Sequence, residues 1–127
     1  YVKIGLFPGY GGAWFYPRYF GMARAAKMVF TGDFISSDEA LRSGFLCEII
    51  PSEQLNEFAK KLANKIANGP PIALRLSKLM MRQGLSVDLR SFLEISSATE
   101  SITLSSNDHI EALMARRQKR KPKFSGV

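Results

Sequence analysis

The sequence contains one cysteine and one histidine, so an internal disulfide is excluded and no Cys/His cluster exists to hold zinc. No apolar run approaches the roughly 18 residues that a membrane span needs. Without disulfides, a reducing compartment is the default. We therefore predict a cytoplasmic protein with no membrane segment and no bound metal, with a mitochondrial or peroxisomal location as the open alternative.

What is present is ordinary for a folded domain. Hydrophobic residues make up 46% of the 127 residues and charged residues 23%, which argues against a disordered chain. The length suits one domain better than two.

The positive charge is concentrated at the end of the chain. Eighteen basic residues face eleven acidic ones, for a net charge of +7. Six of the basic residues are Arg116, Arg117, Lys119, Arg120, Lys121 and Lys123, and the other twelve nearly balance the acidic residues. A basic end predicts an anionic partner: nucleic acid, a membrane surface or a phosphorylated small molecule. Nucleic acid is the less favoured of these, because no aromatic residue except Phe124 is interleaved with the charges.

The hydrophobic pattern predicts one short strand followed by helices. Val2 and Ile4 share a face in the segment 1–7, which is typical of a strand, and 45–50 is a strand or an extended connector. Pro17 is expected to split the aromatic segment 13–20 into two helical turns. Further helices are predicted over 22–30, from Ser36 to Gly44, from Ser52 to Gly69, from Ile72 to Gly84, and over two later stripes, the last of which breaks at Pro122.

Local signals place the helix ends. Ser36 and Glu39 match a capping box, and Gly44 suits the position after a helix. The third long helix is expected to start near Ser86 or Asp88, and the fourth at Ser106 or Asn107. We divide the chain into 1–50, a strand, a glycine loop and short helices, and 51–127, a helical region.

Few residues stand out as catalytic. No serine or cysteine is placed by a recognisable motif to act with His109, which is expected to be a first-turn surface residue. Cys47 lies among apolar neighbours and is expected to be a buried thiol. The loop Gly9 to Gly12 does not satisfy GxGxxG, so it is either a tight turn or a ligand-facing loop. The aromatic residues that follow it favour core or interface over a pocket.

Five segments taken together resemble the C-terminal half of the crotonase superfamily, the enoyl-CoA hydratases and isomerases. They are 2–12 (VKIGLFPGYGG), 30–40 (FTGDFISSDEA), 44–46 (GFL), 69–73 (GPPIA) and 119–124 (KRKPKF), in the family's order and spacing. Each is weak alone, and the resemblance covers essentially the whole chain.

The resemblance implies an α/β crotonase spiral fold, of which this chain holds one short strand of the core and mainly the α-helical C-terminal trimerisation region. The earlier turns of the spiral supply most of the CoA pocket, a catalytic glutamate and the two N–H groups of the oxyanion hole. We therefore expect the chain to be inactive alone, to expose apolar surface and to self-associate as a trimer or a dimer of trimers.

Two acids that the family uses are missing from their expected positions. Tyr1 stands where hydratases place a second catalytic glutamate, and Gly9 stands where many isomerases place an aspartate. A phenol, with an ordinary pKa of about 10, is a poor base at neutral pH. Catalysis by two cooperating carboxylates is therefore in doubt, and the catalytic residues of this half are unknown.

The resemblance also implies binding residues. Lys119 matches a family lysine that binds a CoA phosphate, and Arg116 replaces a phenylalanine that packs on the CoA arm. Gly9, Tyr10, Gly11 and Trp14 are predicted to border the acyl group. Tyr16 would join them.

We therefore predict the C-terminal part of an enoyl-CoA hydratase or isomerase of fatty acid metabolism, acting on an acyl-CoA thioester through an enolate. The thioester is substrate, and no other cofactor is predicted. The alternatives are a non-catalytic crotonase-fold assembly module, or a member that hydrolyses or decarboxylates its substrate.

Overall fold

The computed structural model describes residues 1–127 and contains seven α-helices, one short 3-10 helix and no β-strand. The chain divides into two compact units, Tyr1–Leu55 and Asn56–Val127, whereas the sequence suggested a boundary after residue 50. None of the helices combines the length and the hydropathy needed to cross a membrane.

The helices follow one another along the chain with short connections. The first unit contains the 3-10 helix Val2–Ile4, α1 Gly12–Phe20, α2 Met22–Thr31 and α3 Ser37–Arg42. Helix α4, Ser52–Ala67, begins in the first unit and continues into the second, which also contains α5 Pro71–Gln83, α6 Leu89–Leu104 and α7 Asn107–Arg117.

The strand predicted over residues 1–7 is wrong. The amides of Ile4 and Gly5 donate to the oxygens of Tyr1 and Val2, both at 3.0 Å, which closes a 3-10 turn. Gly5 ends that turn at φ 75°, in the left-handed region that glycine adopts without strain. A strand needs a neighbour for its hydrogen bonds, and this chain offers none.

Pro17 does not divide the aromatic segment, so the prediction of two separate turns is also wrong. Helix α1 runs through Pro17, which removes only the one bond that its missing N–H would donate. The bond from the Phe15 amide to the Gly11 oxygen, 2.8 Å, and that from the Gly21 amide to the Pro17 oxygen, 3.0 Å, persist on either side. The Tyr16 and Phe20 rings also pack across the proline, with centroids 6.2 Å apart.

The predicted caps are found, with one difference. The Ser36 hydroxyl accepts a hydrogen bond from the Glu39 amide at 3.1 Å, which is the first half of a capping box. The Glu39 carboxylate instead pairs with Arg24 Nε at 3.2 Å. Gly44 takes φ 78° directly after the end of α3, as the sequence indicated. Asp88 and Ser106 are the caps of α6 and α7.

Of the two possibilities for residues 45–50, a strand or an extended connector, the structure shows a connector without a strand. Two other expectations are corrected by the structure. Cys47, expected to be buried, is exposed, although Phe45 of the same connector packs on the Tyr19 and Phe20 rings. The last helix ends at Arg117, before Pro122, because residues 118–120 close a turn there.

The buried core is small. The buried apolar residues are three alanines and one proline, Ala25, Ala40, Ala115 and Pro8, and no large side chain is fully buried. In the first unit α1 packs on α2, and Phe45 joins the aromatic cluster at 5.3 Å from the Phe20 ring centroid. In the second unit α5 packs on α6, where the Thr99 hydroxyl lies 3.5 Å from Met80 Sδ. Most large apolar side chains of both units remain exposed.

Candidate functional site

An apolar cleft of about 370 Å³ opens in the first unit. It lies between the start of the chain, α1, α2 and the two loops that follow α2 and α3. Its lining residues are Tyr1, Val2, Pro8, Tyr16, Phe20, Met28, Val29, Gly32, Asp33, Phe34, Ile35 and Phe45. This composition suits an apolar ligand with few polar groups, as is usual for small-molecule sites.

Asp33 is the one carboxylate that lines the cleft. Its hydrogen bond with Thr31 and the Lys3 ammonium, 3.4 Å away, lower the pKa of the Asp33 carboxyl. The carboxylate is therefore ionised at neutral pH and already paired with a cation. Sequence reasoning did not single out Asp33 as a site residue. Its position in the FTGD segment was the available signal.

Tyr1 lies at the same cleft and is about half exposed. Its phenol is the group that this chain presents where the family resemblance places a catalytic glutamate. The only other hydroxyl-bearing aromatic residue that lines the cleft is Tyr16. The structure thus brings Tyr1 and Tyr16 to one cleft, while the role of Tyr1 stays a prediction.

The glycine loop turns tightly into α1. Gly11 is the N-cap of that helix at φ 97°, a backbone conformation that side chains rarely adopt. A Cβ on Gly12 would lie 2.7 Å from Pro8 Cβ, so Gly12 permits a close approach between the loop and the helix. Gly9 has no such constraint from its backbone, and a Cβ there would meet only the Phe7 ring at 3.0 Å.

The loop residues predicted to border an acyl group do not line the cleft. Gly9, Tyr10, Gly11 and Trp14 all lie outside its lining, and Tyr10 is fully exposed. The Trp14 ring is covered by Arg18, whose guanidinium carbon lies 3.7 Å from the ring centroid. The Arg18 side chain also donates to the Trp14 backbone oxygen at 2.8 Å. Contact of these four residues with substrate stays a prediction.

The second unit carries the basic segment. Residues 118–127, here called the tail, leave the C-terminus of α7 and return to its N-terminus. There the Asn107 amide donates to the Val127 oxygen at 2.9 Å. Arg120 is the one tail cation that pairs with a carboxylate. The Lys119 and Arg116 side chains are exposed and make no ion pair with the chain.

Lys119 has an unusual backbone. Its φ of 53° makes it the only residue other than glycine in the left-handed region. The Lys119 amide donates to the Arg116 oxygen at 3.2 Å, and the Arg120 amide donates to the Ala115 oxygen at 3.0 Å. This pair of bonds is a Schellman ending, in which glycine ordinarily occupies the position that Lys119 holds here.

Glu111 connects α7 to the tail. Its carboxylate accepts hydrogen bonds from both terminal nitrogens of Arg120, one of them at 2.8 Å, and from the Lys123 amide at 2.8 Å. These hydrogen bonds lower the pKa of the Glu111 carboxyl from 4.5 to about 2 and raise that of Arg120. The sequence analysis missed this contact, although an acid early in α7 followed by a basic run was a usable signal.

The side chains of His109 and Cys47 make no hydrogen bond with another side chain that would indicate a catalytic pair. His109 is half-buried in the first turn of α7, and its amide donates to the Ser106 hydroxyl at 3.2 Å. No group of three or more His, Cys, Asp or Glu side chains is placed to hold a metal ion.

Comparison with known proteins gives one consistent family. The enoyl-CoA hydratase/isomerase family matches residues 1–127. The short-chain-enoyl-CoA hydratase of Clostridium acetobutylicum is 35% identical over 120 residues, which are 94% of this chain and 46% of that protein. The mitochondrial methylglutaconyl-CoA hydratase of Rattus norvegicus is 33% identical over 129 residues, covering 98% and 41%.

A solved structure agrees with the sequence relatives. The enoyl-CoA hydratase from Bacillus anthracis superposes with a TM-score of 0.93 at 34% identity, covering 99% of this chain and 49% of that one. The chain therefore spans about half the length of the proteins that it matches.

Proposed function

The chain belongs to the enoyl-CoA hydratase/isomerase family, and on that premise we propose that the full-length gene product acts on an acyl-CoA thioester as a hydratase or an isomerase. The observation that carries the proposal is the family match over residues 1–127, at identities of about one third to named hydratases. The unpaired cations of the tail support an anionic, phosphate-bearing substrate.

In this proposal the reaction takes place at the carbons next to the thioester carbonyl. Removing a proton there, or adding water across the neighbouring double bond, passes through an enolate. Two N–H donors aimed at the thioester oxygen stabilise its negative charge. We assign those donors and the main catalytic acid to polypeptide that precedes the segment described here, so the 127 residues alone are expected to be inactive.

The chain's own contribution is binding. We assign a CoA phosphate to the Lys119 ammonium, a compact point charge with three donors, and a second contact to Arg116. The apolar cleft beside Tyr1 and Tyr16 suits an acyl chain. The loop 9–11 and Trp14, which lie outside the lining of that cleft, are assigned a further contact with the acyl group. No cofactor besides the substrate's own CoA is proposed.

Tyr1 and Gly9 decide which of the two reactions we expect. Neither supplies the acid that a two-carboxylate hydration uses, and Asp33, the carboxylate at the cleft, is held by Lys3. The proposal is therefore chemistry with one upstream acid, which favours isomerisation or a slow hydration. Hydrolysis and decarboxylation from the same enolate are its other outcomes.

Assembly into a trimer, or a dimer of trimers, is part of the proposal. Exposed apolar side chains line the helices of the second unit, among them Leu79, Leu89, Leu93, Ile102 and Leu113. This number of large apolar side chains left exposed on a folded protein supports an interaction surface. Light scattering on the full-length gene product is expected to give a trimer or a hexamer, and a monodisperse monomer would contradict this part. The cytoplasm remains the predicted location.

The experiment is turnover of the full-length gene product with crotonyl-CoA and with a cyclic enoyl-CoA, followed by product analysis. Loss or migration of the double bond supports the proposal. Absence of both turnover and thioester binding rejects it. Binding without turnover would instead favour the non-catalytic assembly module.

A matched variant tests the contribution of Tyr1. Tyr1→Glu places a carboxylate where hydratases carry one, and it is expected to raise the hydration rate relative to Tyr1→Gln. Tyr1→Gln is the matched control, with a side chain of the same size and no charge. Equal rates in the two variants would show that Tyr1 does not stand at the reacting carbons.

A further inference from the structure

The tail is fastened to α7 by two acidic side chains on that helix, Asp108 and Glu111, here called the acidic clamp. Asp108 is only 2% exposed. One of its oxygens accepts the Ser125 amide at 2.7 Å, and the other accepts the Gly126 amide at 3.0 Å. The Ser125 hydroxyl also donates to Asp108 Oδ1, at 3.4 Å, so this deeply buried carboxylate binds the tail mainly, but not solely, through main-chain amides.

Glu111 holds the tail closer to its beginning. It binds the Arg120 guanidinium at both terminal nitrogens and also accepts the Lys123 amide. A guanidinium fork on a carboxylate fixes orientation as well as distance. The residue after Lys119 is thereby held in one geometry on α7.

Lys119 is constrained from both sides. Before it, the Schellman bonds fix the end of α7. After it, Glu111 fixes Arg120. A non-glycine residue remains in the left-handed region only where its surroundings over-determine the backbone, and here both sets of bonds do so.

We propose that Glu111 is a positioning residue for Lys119: by holding Arg120 and the Lys123 amide, it keeps the Lys119 ammonium where it meets a CoA phosphate. This inference rests on the proposed function, in which Lys119 contacts that phosphate. Asp108 supports the same arrangement by anchoring the far end of the tail.

For the substitution Glu111→Gln, the loss of charge and the loss of positioning predict opposite changes in the affinity for CoA. Glu111→Gln removes a negative charge beside the tail, so electrostatics alone would strengthen the binding of an anionic ligand. The positioning role requires the reverse, because Arg120 is released and Lys119 loses its fixed backbone. The sign of the change in affinity therefore separates the two explanations.

The experiment uses the full-length gene product and measures dissociation constants for CoA and for an acyl-pantetheine thioester that lacks phosphates. Glu111→Gln is expected to weaken CoA binding by about 5- to 10-fold, which is less than the loss of a whole charge-assisted hydrogen bond because the Lys119 ammonium is still present, and to leave binding of the phosphate-free thioester unchanged. Glu94→Gln, which breaks the exposed pair of α6 with Arg90, is the control and is expected to change neither.

A double variant and amide exchange complete the test. Lys119→Ala with Glu111→Gln is expected to bind CoA no more weakly than Lys119→Ala alone, because Glu111 acts through Lys119. Exchange of the main-chain amides of residues 120, 121 and 123–126 is expected to accelerate in Glu111→Gln. If Glu111→Gln does not fold, Glu111→Asp keeps the charge with a shorter reach and is expected to weaken CoA binding in the same sense.

The outcomes distinguish this inference from the function beneath it. CoA binding that depends on Lys119 but is unchanged or tighter in Glu111→Gln overturns the positioning role and leaves the proposed function standing. Failure of the unaltered protein to bind CoA overturns both.

Discussion

Replacing Lys119 by glycine is expected to stabilise the protein while weakening its binding of CoA. A lysine in the left-handed region costs about 1–2 kcal/mol relative to glycine, which enters that region freely. Glycine also makes the unfolded chain more flexible, which lowers the free energy of unfolding by about 0.4–1 kcal/mol. The difference leaves a gain of about 1 kcal/mol in the free energy of unfolding.

Because this chain of 127 residues spans about half the length of its relatives, the full-length product is expected to have about 250 residues. For a protein of that size 1 kcal/mol raises Tm by about 2 °C, which a thermal melt resolves. The loss of one charge-assisted hydrogen bond to phosphate is expected to weaken CoA binding by about 10- to 100-fold. Lys121→Gly is the matched control. It removes the same charge from the tail at a residue without a positive φ, so it brings no gain in Tm.

Two separate results would refute this reasoning. A Tm that falls in Lys119→Gly would show that the left-handed backbone at this residue carries no strain. Unchanged CoA affinity in Lys119→Gly would show that the ammonium does not meet a phosphate.

Three further changes test the loop, the tail and the aromatic segment. Gly12→Ala is expected to lower the free energy of unfolding by about 1–3 kcal/mol, because its Cβ would lie 2.7 Å from a proline carbon; Gly9→Ala meets only a movable ring, and equal urea midpoints for the two would contradict this. The unaltered protein is expected to be more stable than Glu111→Gln by its full margin above about pH 4.5, and to lose that margin as the pH falls to about 2, because the pKa of the Glu111 carboxyl is lower in the folded state than in the unfolded state. A margin that does not change with pH during acid unfolding would argue against this. Arg18→Met is expected to shift Trp14 emission to longer wavelength and to lower the free energy of unfolding by about 0.5–1 kcal/mol, and an unchanged spectrum would show that the cation does not cover the ring.

Features that depend on nearby residues could be predicted from the sequence. The caps at Ser36 and Ser106 join a hydroxyl to an amide three residues later, so the pattern alone contains the contact. In the long helices α4 and α5 the apolar residues are spaced three and four positions apart, as the sequence showed, and both helices end just before the glycine or proline that was expected to stop them.

Features that depend on distant residues could not. The strand over residues 1–7 was inferred from two alternating apolar residues, but a strand exists only with a neighbour. Burial of Cys47 was inferred from apolar neighbours in sequence, which say nothing of what packs above them. The clamp at Asp108 joins residues 17 and 18 positions apart, beyond any local pattern.

The placement of the cations distinguishes a helix cap from a ligand site. Arg116 and Arg117 lie in the last turn of α7, where the helix dipole favours a cation by about 0.3–1 kcal/mol, so helix stability favours a cation at both residues whether or not Arg116 also contacts a ligand. Lys119 is different, because the dipole returns at most about 1 kcal/mol to a residue whose backbone costs about 1–2 kcal/mol, whereas glycine has no such backbone cost there. Stability therefore favours glycine at residue 119, and the lysine found there, next to the Arg120 that Glu111 holds, is in line with the phosphate contact that we propose for its ammonium.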